Sequence, residues 1–73
     1  MKTIDTYHRW IEWSEEDSVY LGRCPDLISG IHGNAPVTLY ADLTQIVQEV
    51  IDHHHSTGKP LPPPRSRPIM NVG

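Results

Sequence analysis

The chain is short and contains a single cysteine. Its 73 residues allow one small domain with a thin core, for which roughly 3–5 kcal/mol of net stability is expected. One cysteine excludes an internal disulfide and favours a reducing, cytoplasmic compartment. No apolar run approaches the ~20 residues needed to span a bilayer, and residues 1–10 lack a signal-peptide core. Oligomerisation is the remaining means of supplementing so small a core.

The net charge of −3 is unevenly distributed along the chain. Residues 1–58 contain three basic side chains against nine carboxylates, a net −6, whereas residues 59–73 contain three basic side chains and no acid. Nucleic-acid binding requires clustered Lys and Arg, so the acidic body indicates a basic protein partner instead. The alternative is that the charge only keeps the domain in solution.

The first predicted element is a β-hairpin. Tyr7–Trp13 alternates and is rich in aromatic and β-branched residues, which is typical of a strand. Glu15–Ser18 is a polar connection of hairpin length, and Val19–Cys24 is the returning strand, which the following proline ends. Ile28–His32 is predicted as a third antiparallel strand, in which Gly30 marks a bulge or a close backbone approach.

The most regular pattern predicts one long amphipathic helix over residues 36–57. Pro36 suits a first-turn position, and Gly58 suits the C-cap, with Pro60 two residues later. The apolar stripe recurs at spacings of three and four, with Tyr40 and Ile51 beside it: Leu39, Leu43, Ile46, Val47, Val50 and His54. Further prolines then impose an extended arm. Ile69–Val72 is compatible with a short fourth strand or with a frayed end.

The predicted fold class is α+β, in the order β-β-β-α(-β). It comprises a three- or four-stranded antiparallel-type sheet and one long helix packed on one face. A single helix covers only one face of a sheet, so the uncovered face is where a binding function is expected.

Two blocks of the chain resemble a known family. Glu12–Asp17 (EWSEED), followed by Val19–Leu27 (VYLGRCPDL), is similar to the N-terminal hairpin of HicB-type antitoxins. The helix, followed by Gly58–Pro64 (GKPLPPP), is similar to the close of the same domain. The resemblance covers roughly residues 7–64. It implies a HicB-like domain over residues 1–64 with a partial RNase-H-like fold, and it leaves residues 65–73 as a C-terminal tail.

The resemblance also implies a function. HicB proteins typically bind and neutralise HicA, a small basic toxin that cleaves mRNA, and many carry a C-terminal DNA-binding domain as well. Residues 65–73 leave no room for such a domain, so we expect no direct DNA binding. Leu27–Gly30 (LISG) stands where the family commonly has Leu-Pro-Gly. The alternative function is therefore an orphan homo-oligomeric binding module of the same fold, without a toxin partner.

The candidate partner-binding residues are assigned to the uncovered face of the hairpin. They are His8, Trp10, Tyr20 and Cys24. The opposite set, assigned to the helix side, is Ile11, Trp13, Val19 and Leu21. An aromatic ring buries ~150–250 Å², worth roughly 4–6 kcal/mol as an upper bound, so two uncovered rings indicate a homodimer, a higher oligomer or a toxin contact. The alternative is that the sheet curls and the C-terminal arm covers them.

No metal site or active site is expected. Adjacent residues on a helix point in different directions, so His53 and His55 are predicted in solvent, with His54 at the edge of the apolar stripe. A second conceivable ligand set has no recognised spacing: Cys24, Asp26 and His32. An RNase H active site needs several carboxylates on strand centres, whereas only Glu12 lies on a strand. We therefore expect neither a cofactor nor catalysis.

Overall fold

An antiparallel hairpin forms the first part of a three-stranded sheet. The structure, a computed structural model, describes residues 3–65. In it β1 (Trp10–Ser14) pairs with β2 (Val19–Arg23), and Ser14 directly opposes Val19. β3 (Ile31–Gly33) pairs antiparallel with the other side of β2, which gives the order β1-β2-β3. The predicted α+β class, with three antiparallel strands and one long helix, is confirmed.

The N-terminal boundary of β1 differs from the prediction. Residues 3–6 form a 3-10 helix, and the backbone N–H of Tyr7 donates to the Ile4 carbonyl at 3.2 Å. The strand therefore begins at Trp10 and not at Tyr7. Arg9 fixes this turn, because its Nη1 donates to the Ile4 carbonyl oxygen at 2.8 Å. A local capping contact of this kind has no periodic signature in the sequence.

The third strand also starts later than predicted, at Ile31. The backbone N–H groups of residues 27 and 28 both donate to the Cys24 carbonyl, at 3.0 and 2.9 Å, so a tight turn occupies the predicted start of the strand. Gly30 has φ 134°, and a Cβ there would lie 3.3 Å from the Gly22 carbonyl oxygen. The predicted close backbone approach at Gly30 is confirmed.

The helix α1 spans Pro36–Thr57, with the bounds that the sequence predicts. Ala35 occupies the N-cap in extended conformation, without a side-chain capping bond. Gly58 adopts φ 71°, and the N–H of Lys59 donates to the His54 carbonyl at 3.0 Å, which is the pattern of a glycine-terminated helix. No helix within residues 3–65 has both the length and the apolar character that crossing a membrane requires.

The core lies between α1 and one face of the sheet. The buried helix residues are spaced by four, which makes Ile51 a member of the buried stripe and not a flanking residue: Leu39, Leu43, Val47 and Ile51. Gly22 of β2 lies directly beneath the helix, since a Cβ there would stand 3.4 Å from Leu43 Cδ2. Ile4, Tyr7 and Cys24 complete the buried cluster.

The C-terminal arm (residues 59–65) returns across the N-terminal segment. Leu61 packs against the core cluster. The Tyr7 hydroxyl donates to the Pro62 carbonyl oxygen at 2.6 Å, and the backbone N–H of Arg65 donates to the Asp26 carboxylate at 3.1 Å. The arm is thus attached at three points. The predicted fourth strand at residues 69–72 lies outside the described residues.

Candidate protein-binding surface

The register of the hairpin divides the sheet into a covered face and an open face. Ile11 opposes Gly22, which lies beneath Leu43 of α1, so both belong to the covered face. Side chains alternate along a strand, which puts Trp10 and its partner Arg23 on the other side. We call this side the open face; its strand residues are Trp10, Glu12, Ser14, Val19, Leu21, Arg23 and His32.

The four predicted site residues are split between the two faces. Trp10 lies on the open face, as predicted, and His8 stacks on it with ring centroids 4.7 Å apart and planes 22° from parallel. Tyr20 and Cys24 lie on the covered face, so their predicted placement was wrong. Cys24 is 0% exposed and belongs to the core cluster. It therefore offers no surface to a partner.

The reason for the error is the length of the hairpin loop. Four residues separate Ser14 from Val19, so each even-numbered residue of β1 opposes an odd-numbered residue of β2. Trp10 therefore shares its side with Leu21 and not with Tyr20. For the same reason Val19 and Leu21, which were assigned to the helix side, lie on the open face. The sequence contains the signal for this, namely the residue count of the loop.

Glu12 links the aromatic and basic side chains at the centre of the open face. Its Oε1 accepts from Trp10 Nε1 at 2.8 Å and pairs with Arg23 Nε at 2.8 Å. An ion pair as exposed as this one contributes about 0.2–1 kcal/mol, so its main effect is to orient the side chains. This part of the open face thus combines stacked aromatic rings with a Glu–Arg pair whose charges are already balanced.

Two apolar residues of β2 lie beside these side chains on the open face, next to an acidic hairpin loop. Val19 and Leu21 are half-buried, and they line a shallow concavity together with Asp17 and His32. The hairpin loop beside them carries three exposed carboxylates, at Glu15, Glu16 and Asp17. An apolar stripe with an acidic rim is the arrangement expected of a protein-binding surface for a basic partner.

A second exposed aromatic lies on the covered face. Trp13 is 49% exposed and meets Tyr20 edge-on at 5.0 Å, while its Nε1 donates to Glu15 at 2.5 Å. The N-terminal half of α1 lies over β2 and β3, where Leu39 contacts Gly33, so the hairpin end of β1 remains uncovered. The prediction that Trp13 faces the helix side is confirmed, although the helix does not bury it.

The histidines at the helix end lie where the sequence predicts them. His54 is half-buried, with Nδ1 2.9 Å from the Val50 carbonyl oxygen, whereas His53 and His55 are exposed. Among residues 3–65 no group of three or more His, Cys, Asp or Glu side chains is placed to hold a metal ion.

The cysteine is not positioned as a nucleophile. Burial raises the pKa of the Cys24 thiol, and Asp26 raises it further, while Arg9 acts in the opposite direction. The thiolate, which is the reactive form, is therefore disfavoured at neutral pH.

A scan against protein-family models finds no match to this chain, and searches of curated proteins and of solved structures also find none. The function is therefore inferred from the geometry of the two faces and from the resemblance of the hairpin and helix end to HicB-type antitoxins.

Proposed function

We propose that this chain is a HicB-like antitoxin of a type II toxin–antitoxin system, which neutralises a HicA-like mRNA-cleaving toxin by covering it. The observation that carries the proposal is the open face. Trp10, Val19 and Leu21 are only half-buried there, although so small a domain has little apolar surface to spare. Apolar side chains that stay partly exposed on an uncovered sheet face typically mark a contact with another protein. The proposal includes the partial RNase-H-like fold that the resemblance implies.

The charge of the chain supports a basic partner. A toxin that binds mRNA needs Lys and Arg on its RNA-binding surface, because phosphate contacts dominate such binding. Asp17 lines the concavity beside Val19 and Leu21 and would face such a surface, and the exposed Glu16 lies in the same hairpin loop. Complementary charge accelerates association and fixes the orientation of the partners. An mRNA-cleaving toxin acts in the cytoplasm, where a protein with one free cysteine is expected.

Occlusion requires no chemistry from this chain. Glu12, the one carboxylate on the three strands, is already engaged by Arg23 and Trp10. The proposed activity is therefore binding alone, without a cofactor.

A second candidate is a homo-oligomeric module without a toxin partner. The observation that favours it is the pairing of Glu12 with Arg23, since two open faces could meet without burying an unpaired charge at their centre. The adjacent reading frame discriminates between the candidates. A short basic protein encoded beside this gene favours the antitoxin, and the absence of one favours the orphan module.

The test uses the full chain and the small basic protein encoded in the adjacent frame. Leu21→Lys puts a cation into the open face, and Val37→Lys is the matched control, since Val37 lies on α1 and is 83% exposed. We expect the unmodified chain to form a stable complex and to suppress RNA cleavage by the basic protein. Leu21→Lys should weaken binding by about tenfold or more, since one buried Leu side chain is worth about 1.5–3 kcal/mol. Val37→Lys should leave it unchanged.

Three results would contradict the antitoxin. They are the absence of a complex, a complex that still cleaves RNA, and equal weakening by both variants. If the chain instead sediments as a dimer that Leu21→Lys dissociates and the basic protein does not disturb, the orphan module is the correct function.

A further inference from the structure

The outer edge of β3 is unpaired within residues 3–65. β3 lies at the end of the order β1-β2-β3, so one row of its backbone N–H and C=O groups faces away from the sheet. Unpaired edges are the usual place where an extended segment of another protein adds to a sheet. Edge strands are often protected by a charged side chain or a proline. Ile31–Gly33 contains no Lys, Arg, Asp, Glu or Pro, and its one polar side chain is the exposed His32.

Concavities flank this edge on both sides. On the open-face side a depression lies beside Leu21, Arg23 and His32; its lining also includes Gly22, Ser29, Gly30 and Ile31. On the helix side a groove runs between β3 and α1. We call it the β3 groove; it is lined by Ile31, His32, Leu39, Asp42, Gln45, Ile46 and Glu49. An added strand points alternate side chains to opposite faces of the sheet, so each set would find a concavity.

The two concavities differ in charge. The β3 groove has an apolar floor, and its rim carries the exposed carboxylates of Asp42 and Glu49 with no Lys or Arg in its lining. These two residues are seven positions apart, about 10 Å along the helix axis. Residues on the same side of a strand are about 6.7 Å apart. Two long, flexible basic side chains on such a strand can still reach both carboxylates. The open-face side offers Leu21, which suits an apolar side chain.

We propose that the β3 edge and the β3 groove form a strand-addition site for an extended segment of a partner protein that alternates Lys or Arg with apolar residues. Backbone hydrogen bonds to β3 hold the segment, its basic side chains lie along Asp42 and Glu49, and its apolar side chains extend the open face beside Leu21. This site adjoins the open face at Leu21 and His32, and it does not depend on the identity of the proposed toxin.

Charge excludes the most obvious competing occupant. If β3 of a second copy paired with this edge, the acidic rims formed by Asp42 and Glu49 of the two copies would approach each other without an intervening cation. Like charges brought together in this way weaken association. A basic segment reverses the sign of that interaction.

The test titrates the full-length, isotope-labelled chain with a blocked peptide of three Lys-Val repeats and follows the backbone amides by NMR. We expect saturable shifts at residues 31–33 and 42–49. Two further peptides are N-methylated, one at its lysine amides and the other at its valine amides. In an added strand, only every second backbone N–H points toward β3. Methylation should therefore abolish binding for only one of these two peptides. A peptide with Glu in place of Lys should not bind.

The protein variants isolate the acidic rim. The pair Asp42→Asn and Glu49→Gln should weaken the Lys-Val peptide by about tenfold, as expected for two partly exposed ion pairs. The matched control is Asp5→Asn with Asp52→Asn, which changes the charge equally at exposed sites outside the groove. It should change the affinity by less than about twofold.

Several results would overturn the proposal. If both N-methylated peptides still bind, the interaction is charge attraction without strand addition. If the shifts are confined to the hairpin loop, the peptide binds there and not at β3. Slow exchange, in the free chain, of those amides of residues 31–33 that face away from β2 would show that the outer edge is already paired. If that protection survives dilution, residues 66–73 of the same chain are the occupant, and if it decreases on dilution, a second copy is.

Discussion

Replacing Tyr7 with phenylalanine tests how the C-terminal arm is attached to the domain. Tyr7 is 4% exposed, and its hydroxyl donates to the Pro62 carbonyl oxygen at 2.6 Å. Phenylalanine keeps the ring in the core and removes only this donor. The Pro62 carbonyl then loses its hydrogen bond to the N-terminal segment, whereas the packing of Leu61 and the bond from Arg65 to Asp26 remain.

The expected loss follows from the chemistry of that bond. A neutral hydrogen bond contributes about 0.5–1.5 kcal/mol, and leaving a buried acceptor unpaired costs up to about 3 kcal/mol. Pro62 is half-buried, so water satisfies part of its carbonyl, and we expect a loss of about 1–1.5 kcal/mol. A domain of this size has roughly 3–5 kcal/mol in total. The melting temperature should therefore fall by about 5–10 °C.

The pH dependence of stability provides a second measurement on the same pair of proteins. Burial raises the pKa of Tyr7 above its usual value near 10, and Asp26 and Cys24 raise it further. The unfolded chain ionises first as the pH rises, so the contribution of Tyr7 is fully present below pH 10 and is lost between pH 10 and the pKa of the folded state. The difference in free energy of unfolding between the two proteins should therefore shrink above pH 10.

Urea denaturation followed by tryptophan fluorescence, at pH 7 and at intervals up to pH 12, gives both quantities. Tyr40→Phe is the control, because Tyr40 is 41% exposed and its hydroxyl only accepts a long bond of 3.4 Å from Arg9. It should change stability by less than about 0.5 kcal/mol. Equal stability of Tyr7→Phe and the unmodified chain at pH 7, or a difference that stays constant to pH 12, would refute the reasoning.

One substitution and one chemical reaction test the packing of the core. Gly22→Ala should destabilise the fold by about 1–3 kcal/mol, because the new Cβ would lie 3.0 Å from Ile31 Cγ1 and 3.4 Å from Leu43 Cδ2. Urea denaturation measures this loss, and a value below about 0.5 kcal/mol would contradict the packing described. Cys24, which is 0% exposed and has a raised pKa, should react with iodoacetamide at pH 8 far more slowly in the native chain than in urea, and equal rates would show that the thiol is accessible.

The helix was predictable to the residue because its signals are local. The apolar period fixes one face, Pro36 fits only the first turn, and Gly58 fits the left-handed conformation that ends it. Even there, Ile51 is fully buried, although the prediction placed it beside the apolar stripe. Which side of a wide apolar stripe is buried most deeply depends on how the helix packs on the sheet, and the sequence of the helix alone does not specify this.

The faces of the hairpin were less predictable because they depend on register. Shifting the pairing by one residue moves every side chain to the opposite face. The bounds of the loop were correct, and its four residues already imply that Ser14 opposes Val19. From that pair, Leu21 shares a face with Trp10, and Tyr20 shares one with Trp13. Counting across the loop is therefore a stronger guide to the faces of a hairpin than comparing the composition of its strands.

The open face and the β3 groove meet at His32, so one partner could occupy the open face and the strand-addition site together. His32 opposes Leu21 in the register and also belongs to the edge strand. A strand added at this edge would direct half of its side chains to the open face, since side chains alternate along a strand. It would therefore widen the apolar surface next to Leu21 instead of covering it. A partner that contacts the open face and inserts an extended basic segment at β3 would gain from both contacts, and the short reach between the two sites makes simultaneous engagement favourable.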